Sequence, residues 1–382
     1  MDLLGTLWSD LGARAVVSFL FILGVIVFVH EMGHFLVARW NKVRIEVFSI
    51  GFGPELFGWN DRHGTRWKVA LLPLGGYVRF FGDANAASTP GEDVPTLSEA
   101  ERAVSFHHKR LFQRAAIVFA GPFANFLLAI VILGVLFATV GQRLTPPDIS
   151  MVKPDSAAEA AGFQPGDLIL SIDGKPISRF EELQQIVRDS AGVPLTMVVK
   201  RGESEVTLVV TPRRVERTDR FGNDLQFGEL GVGRAGVVYV RLNPVAAVGA
   251  AVAETYNLTA GTIGAIAQMI AGTRSSDDLG GPIRIAQVAG QVAQDGFVTI
   301  FWFMAVLSIN LGLINLMPVP LLDGGHLLFY AFEAIRGRPL GERAQDYGFR
   351  IGIALLLSLM VFATWNDLVH LKVVDFFVGL FS

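Results

Sequence analysis

Charged residues recur every few positions along most of the chain, but four stretches carry almost none. The first starts after Arg14 as AVVSFLFILGVIVFV, continues into HEMGHFLVA and ends at Arg39. The second lies between Arg114 and Arg143, the third between Asp295 and Asp323, and the fourth, IGIALLLSLMVFATWN, between Arg350 and Asp367. At ~1.5 Å of rise per helical residue each stretch, with its flank, can cross ~30 Å of hydrocarbon. The pattern therefore predicts a polytopic α-helical membrane protein with four transmembrane helices, over 1–40, 114–142, 298–335 and 349–371, followed by a tail at 372–382.

A fifth apolar stretch, Pro244 to Gly272, is rich in Ala, Gly and Thr and carries Glu254 near its middle. It reads as helices packed on the bundle or lying in the interface, inside a connecting region from 216 to 297. Elsewhere the period changes from helical to alternating. Between 145 and 215 short runs such as LILSIDG, LTMVVKRG and EVTLVVTP surround one helix, FEELQQIVRDS, which predicts an inserted α+β module. Within the loop at 41–113, the segments FSIGFGPELFGWN and VALLPLGGYVRFFGD flank a polar turn and predict a β-hairpin.

Charge placement then orients these elements. Arg39, Lys42, Arg44, Arg62, Arg66, Lys68, Arg79, Arg102, Lys109 and Arg110 fall between the first two spans, which puts that loop in the cytoplasm. Arg336, Arg338, Arg343 and Arg350 put the connection between the last two spans on the same side, so both termini face outward. Counting the fifth stretch as a span would reverse this. The first segment lacks a short basic leader and an A-x-A site, and it reads as retained rather than as a secretory signal. With 51% hydrophobic residues in 382 and a net charge of only −3, the composition fits a membrane protein and offers no basic surface for nucleic acid. Cysteine is absent, which excludes disulfides and thiolate metal sites and leaves His and carboxylates as possible ligands.

Those ligand types occur where they cost most. His30-Glu31-Met32-Gly33-His34 is an HExxH motif, and its i, i+4 spacing stacks both imidazoles on one helix face, where they can share a metal. Glu31 projects beside them, placed to take a proton from an attacking water. Three such groups inside an apolar span point to a metal site rather than to satisfied core residues. Catalytic zinc keeps three protein ligands and one open position, so a third is needed. In NLGLINLMPVPLLDGGH, Pro318 and Pro320 should break the third helix, and Asp323 follows in an unwound, glycine-rich stretch; His326 is the rival ligand. With four spans, His30 and Asp323 lie at similar depth toward the inner face.

HEMGH, GPFAN, the phrase SAAEAAGFQPGDLILSIDGKPI, LGGPIRIA and NLMPVPLLDGG together resemble the site-2 protease family, in its bacterial RseP-type regulated intramembrane form. The module at 145–215 resembles a permuted PDZ domain, placed in the periplasm by the four-span reading. The resemblance implies zinc held by His30, His34 and Asp323, with Glu31 as catalytic base and Asn310 and Asn315 handling the substrate strand. It further implies a membrane-associated hairpin whose edge can pair with substrate backbone, and residence in the bacterial inner membrane. The implied substrates are single-span membrane proteins, such as anti-sigma factors or signal-peptide remnants, cut within the membrane after a prior site-1 cleavage. A peptide C-terminus is a candidate ligand of the PDZ groove. RseP itself carries two tandem PDZ domains, whereas this chain has room for one. Two other classes compete: a non-catalytic PDZ scaffold, which an intact HExxH and LDG disfavour, and a metal transporter, which the single compact ligand set disfavours.

Overall fold

The computed structural model describes residues 10–84, 97–218, 224–234, 236, 238–272 and 280–370. The sequence expectations for 1–9 and for the tail at 372–382 lie outside them. Two compact units divide the chain, one made of 1–135 and 248–382, the other of 136–247.

The first unit begins with α1 (Asp10–Trp40), a 31-residue helix that ends two residues past the last apolar run, with Arg39 in its final turn where the helix dipole favours a cation. Two long strands follow, β1 (Ile45–Asn60) and β2 (Arg66–Phe80), then the short helix α2 (Glu99–Val104) and the 29-residue α3 (Leu111–Thr139). Helix α2 starts on a capping box between Ser98 and Glu101. Further on come α6 (Pro244–Ile270), α7 (Pro282–Gln294), α8 (Phe297–Asn315), α9 (Asp323–Arg336) and α10 (Glu342–His370), after two helices and ten strands of the second unit given below.

Among the described residues four helical segments are long and apolar enough to cross a bilayer: Ala15–Trp40, Leu111–Thr139, Phe297–Asn315 and Arg343–Leu368. Their outer faces expose Val16, Val17, Phe21, Phe119, Phe123, Val131, Leu357 and Val361. Such apolar outer faces fit helices that lie in a bilayer. Helix α6 is continuous for 27 residues but is not among the four.

The hairpin is more folded than two alternating runs suggest. Residues 45–50 pair antiparallel with 76–80 on one side, while on the other Val47, Phe48, Ser49 and Ile50 face Arg66, Trp67, Lys68 and Val69 in ascending order, and 66–70 in turn pairs with 55–60. The two strands thus bend into a ribbon of four paired segments, ordered 76–80, 45–50, 66–69, 55–60. Its base is seated on α1 by Phe35, Ala38, Val43, Ile45, Phe48, Val78 and Phe80. Phe48 stacks on Trp67 at 4.4 Å and meets Phe35 edge-on at 5.5 Å. Each such ring, once buried, contributes on the order of 1.5–3 kcal/mol. The far end exposes Phe52, Leu56, Phe57, Leu71 and Leu72.

Asp61, in the turn between β1 and β2, ties this ribbon to the end of α1. It accepts from the Arg39 guanidinium, from Trp67 Nε1 at 3.3 Å and from the backbone N–H groups of His63 and Thr65 at 2.8 and 3.0 Å. Burial by itself pushes the carboxyl up, but these four hydrogen bonds outweigh it and hold it down at about 2. A depressed folded value means that the ionised group's stabilisation is complete above pH ~4 and is lost as pH falls through about 2. Asp61→Asn is therefore expected to lower Tm by several degrees at pH 6, with the gap to wild type closing between pH ~4 and ~2. A gap independent of pH would mean that the carboxylate charge does not hold the turn.

The third apolar stretch differs from expectation in one respect. Pro318 and Pro320 do end α8, but Asp323 stands in the first turn of α9 rather than in unwound chain. A Cβ at Gly324 would collide with the Leu316 and Met317 carbonyls, and one at Gly325 with Val319 and Pro320. The glycines therefore let a new helix start directly against the proline turn. Leu321 between them has φ 93°, a conformation costing a non-glycine residue on the order of 1–3 kcal/mol. At the other end of this unit the buried Asp367 of α10 accepts from the N–H groups of Gly281, Ile283 and Arg284 at 2.8–3.1 Å, capping α7.

The second unit contains strands β3 (Gln142–Leu144), β4 (Ile149–Val152), β5 (Leu168–Ile172), β6 (Lys175–Pro176), β7 (Leu195–Arg201), β8 (Ser204–Val210), β9 (Arg213–Thr218), β10 (Asp224–Glu229), β11 (Val232–Arg234) and β12 (Val238–Val240), with helices α4 (Ala157–Ala160) and α5 (Phe180–Asp189). A sheet ordered β6-β5-β7-β8 closes over Phe163, Ile169, Leu183, Met197 and Val199. β11 returns to pair with β4, and β10 pairs with β9. The module thus runs past residue 215, its expected end. These last strands are short and weakly alternating, so their membership depends on pairing partners distant in the chain. Asp167 accepts two parallel bonds from Arg201 at 2.8 Å each, and that guanidinium holds its carboxyl below the usual carboxylate range against the opposing effect of burial.

Candidate metal centre

His30, Glu31 and His34 lie near the end of α1, each less than a tenth exposed. Their helix approaches α3 closely at this level. A Cβ at Gly33 would strike the Ala120 backbone, and a Cβ at Gly121 would occupy the space of the His34 imidazole. The two imidazoles meet edge-to-face, with centroids 4.9 Å apart.

Asp323 closes the group from the first turn of α9. His30 Nε2 lies 3.3 Å from His34 Nε2, and Asp323 Oδ2 lies 3.2 Å from the first and 3.5 Å from the second. Among the described residues only His30, His34 and Asp323 form such a donor cluster. His326 is one turn further along α9, with its ring 5.6 Å from that of Phe349.

The residues fit zinc. Asp323 Oδ2 is buried and finds no hydrogen-bond partner among the described residues, although two imidazole nitrogens face it. Ligand atoms bonded tetrahedrally at ~2.0–2.1 Å stand ~3.3 Å from one another, which is the spacing of this trio. His34 Nδ1 lies 2.9 Å from the Ile117 carbonyl, so that nitrogen carries the proton and leaves Nε2 with a lone pair for a metal. Pro122, one turn further along α3, brings no N–H to the helix ladder, which removes the helical donor of the Val118 carbonyl.

A cavity of about 480 Å³ surrounds the cluster, lined by His30, Glu31, His34, Asn315, Asp323, His326 and the strand residues Gly75 to Val78. Glu31 sits beside the donors without being one of them. The two asparagines singled out in the sequence separate. Asn315 lines the cavity, whereas Asn310 accepts a hydrogen bond from Thr262 Oγ1 on α6 at 3.2 Å.

One residue touching this centre was given no role by sequence reasoning. Asn125 on α3 is fully buried, with its amide nitrogen 3.1 Å from His30 Nδ1 and its Oδ1 buried without a partner among the described residues. Its only sequence signal is its place in GPFAN, inside a helix that otherwise reads as a plain span.

A broken pair of helices, an HExxH on one span, an aspartate across from it and an adjoining sheet edge define a membrane metallopeptidase centre. The profile of peptidase family M50 matches residues 18–359, and the chain belongs to that family, the site-2 proteases, which are zinc metalloproteases. A protein of Rhizobium meliloti (strain 1021) named as a zinc metalloprotease is 51% identical over 356 residues, covering 92% of this chain and 95% of its own. Metalloprotease MmpA of Caulobacter vibrioides is 41% identical over 390 residues, covering 96% of this chain and 98% of its own. The solved PDZ domain of an SdrC-like protein from Listeria monocytogenes aligns with 23% of this chain and 85% of its own at 20% identity, with a TM-score of 0.19, too low to add to the strand order given above.

Proposed function

We propose that this protein is an intramembrane endopeptidase that hydrolyses peptide bonds within the transmembrane segment of single-span membrane proteins after a first cut has removed their outer domain. The observation that carries this reading is the placing of Glu31 and the three donors in one cavity, inside a unit whose helices have bilayer length. His30, His34 and Asp323 are the residues that would hold zinc, with Glu31 as base. Zinc supplies Lewis acidity and makes a water acidic enough to attack near neutral pH.

The remaining work falls to the chain. A helical peptide bond is shielded by its own hydrogen bonds, so the substrate must be unwound before its carbonyl can be reached. The strand 76–80 forms one side of the ribbon and its neighbour Gly75 opens on the cavity, so an extended substrate can add to it by backbone hydrogen bonds. Glu31 takes the proton of the attacking water and returns it to the leaving amine. Asn315 lies where its amide can hold the substrate strand or the developing oxyanion. Asn310 acts at one remove, by fixing α8 on α6 through Thr262.

The direction of the helices supports the four-span topology. Ile22 and Ile26 of α1 share a cluster with Met304 of α8, and His30 and His34 meet Asp323 just beyond its end. The two helices therefore ascend together. With α3 returning between them, α8 is parallel to α1 only if α6 adds no crossing. Positive-inside counting supports a periplasmic location for the 136–247 unit, with both termini on that side of a bacterial inner membrane, where the unit can take a peptide C-terminus or screen substrates by size. The exposed aromatic and leucine side chains at the ribbon's far end suit contact with lipid.

The test is cleavage of a single-span substrate carrying a helix-breaking residue, by purified full-length protein in detergent. Cleavage is expected to stop on chelation and to return with zinc. Substrates left intact by protein carrying one zinc per chain would instead favour the scaffold reading.

A further inference from the structure

The centre described above raises a question about protons rather than metal. A neutral imidazole has one N–H and one lone pair, and a metal takes the lone pair. For His34 the assignment is settled by the Ile117 carbonyl, which can only accept, so the proton stays on Nδ1. His30 has no carbonyl there; its Nδ1 faces the carboxamide of Asn125. A carboxamide presents a donor and an acceptor that exchange places by a half-turn about Cβ–Cγ, within the same space.

The two orientations have opposite consequences. With Nδ2 toward Nδ1 the amide donates, the imidazole proton moves to Nε2, and that N–H points at Asp323 Oδ2, 3.2 Å away. This arrangement closes the lone pair to a metal. With Oδ1 toward Nδ1 the ring donates to the amide, and Nε2 turns a bare lone pair into the trio.

We propose that Asn125 is a positioning residue for His30, and that its amide oxygen accepts the Nδ1–H and thereby fixes the tautomer whose Nε2 can bind zinc. Its own placement is firm. The Asn125 backbone carbonyl accepts from Ser308 Oγ at 2.8 Å, and Ser308 is fully buried. On the next turn of α8, Gly312 leaves space in which a Cβ would stand 3.1 Å from the Pro122 carbonyl and 3.3 Å from Asn125 Cβ. α3 thus braces both histidines within about two turns, His34 by a backbone carbonyl and His30 by a side chain. The first brace survives any substitution at 117, whereas the second depends on what stands at 125. Outer partners of this kind are worth on the order of 10–100-fold in metal affinity.

This inference rests on the reading of His30 and His34 as zinc ligands, and the experiment separates the two. Full-length protein is purified in detergent as wild type, Asn125→Leu and Asn125→Asp, whose side chains share one four-heavy-atom skeleton branched at Cγ, Leu being the bulkier. Zinc affinity is measured by competition with a chromophoric chelator, and the protonated nitrogen of each histidine is read by long-range ¹⁵N correlation on ¹⁵N-histidine protein. Asn125→Leu, which can neither accept nor donate, is expected to weaken zinc on the order of 10–100-fold. Asn125→Asp, whose ionised carboxylate accepts and cannot donate, is expected to stay within a few-fold of wild type. Zinc-loaded wild type is expected to show two histidines bound through Nε2 and protonated at Nδ1.

If Asn125→Leu binds as wild type does, or Asn125→Asp weakens as much as Leu, the proposal is overturned while the ligand assignment stands. Should the Leu protein fail to fold, the Asp protein decides alone: retention supports the proposal and loss overturns it. Wild type that binds no zinc overturns both.

Discussion

Glu31→Gln is expected to lower the cleavage rate by at least on the order of 10²–10⁴-fold while leaving zinc bound, because the substitution removes a proton acceptor and no metal donor. Glutamine has the same shape, so the cavity and the approach of α1 to α3 are preserved. The measurement is kcat on a model single-span substrate, with zinc content determined on the same preparation. A residual rate within tenfold of wild type would remove Glu31 from the role of base. Loss of zinc together with activity would make it part of the metal shell, against the geometry.

Asp323→Ala has the second large effect, and it falls on the metal itself. Asp323 is the one donor that does not come from α1, and its Oδ2 is within 3.5 Å of both imidazole nitrogens. Its removal leaves two ligands, so zinc affinity should fall by more than the roughly 10–100-fold that an outer partner is worth, and activity with it. His326→Ala is the control from the same helix: zinc should stay bound, since that ring is not in the donor cluster. Zinc lost on His326→Ala and kept in Asp323→Ala would reverse the assignment.

Much of this centre could be seen before any coordinates. HExxH is a local pattern, and helical spacing alone brings His30 and His34 onto one face. Pro318 and Pro320 mark a break because their chemistry forbids continuation. What escaped depends on neighbours remote in the chain. Gly121 and Asn125 look like ordinary members of an apolar span until α1 is laid against them. The same holds for the ribbon, where 45–50 meets 66–69 by a bend that no alternation encodes. The family resemblance implies one strand-handling role for Asn310 and Asn315, although five residues at ~100° each set them ~140° apart on a helix, so one faces the cavity and the other α6.

The trio proposed to hold zinc draws on α1 at the start of the chain and on α9 near its end, with α3 braced between. During synthesis the histidines therefore enter the membrane long before the aspartate that completes their set. No chain that ends before α9 can assemble all three donors. On this reading a chain truncated before α9 would fail as an enzyme with its HExxH intact.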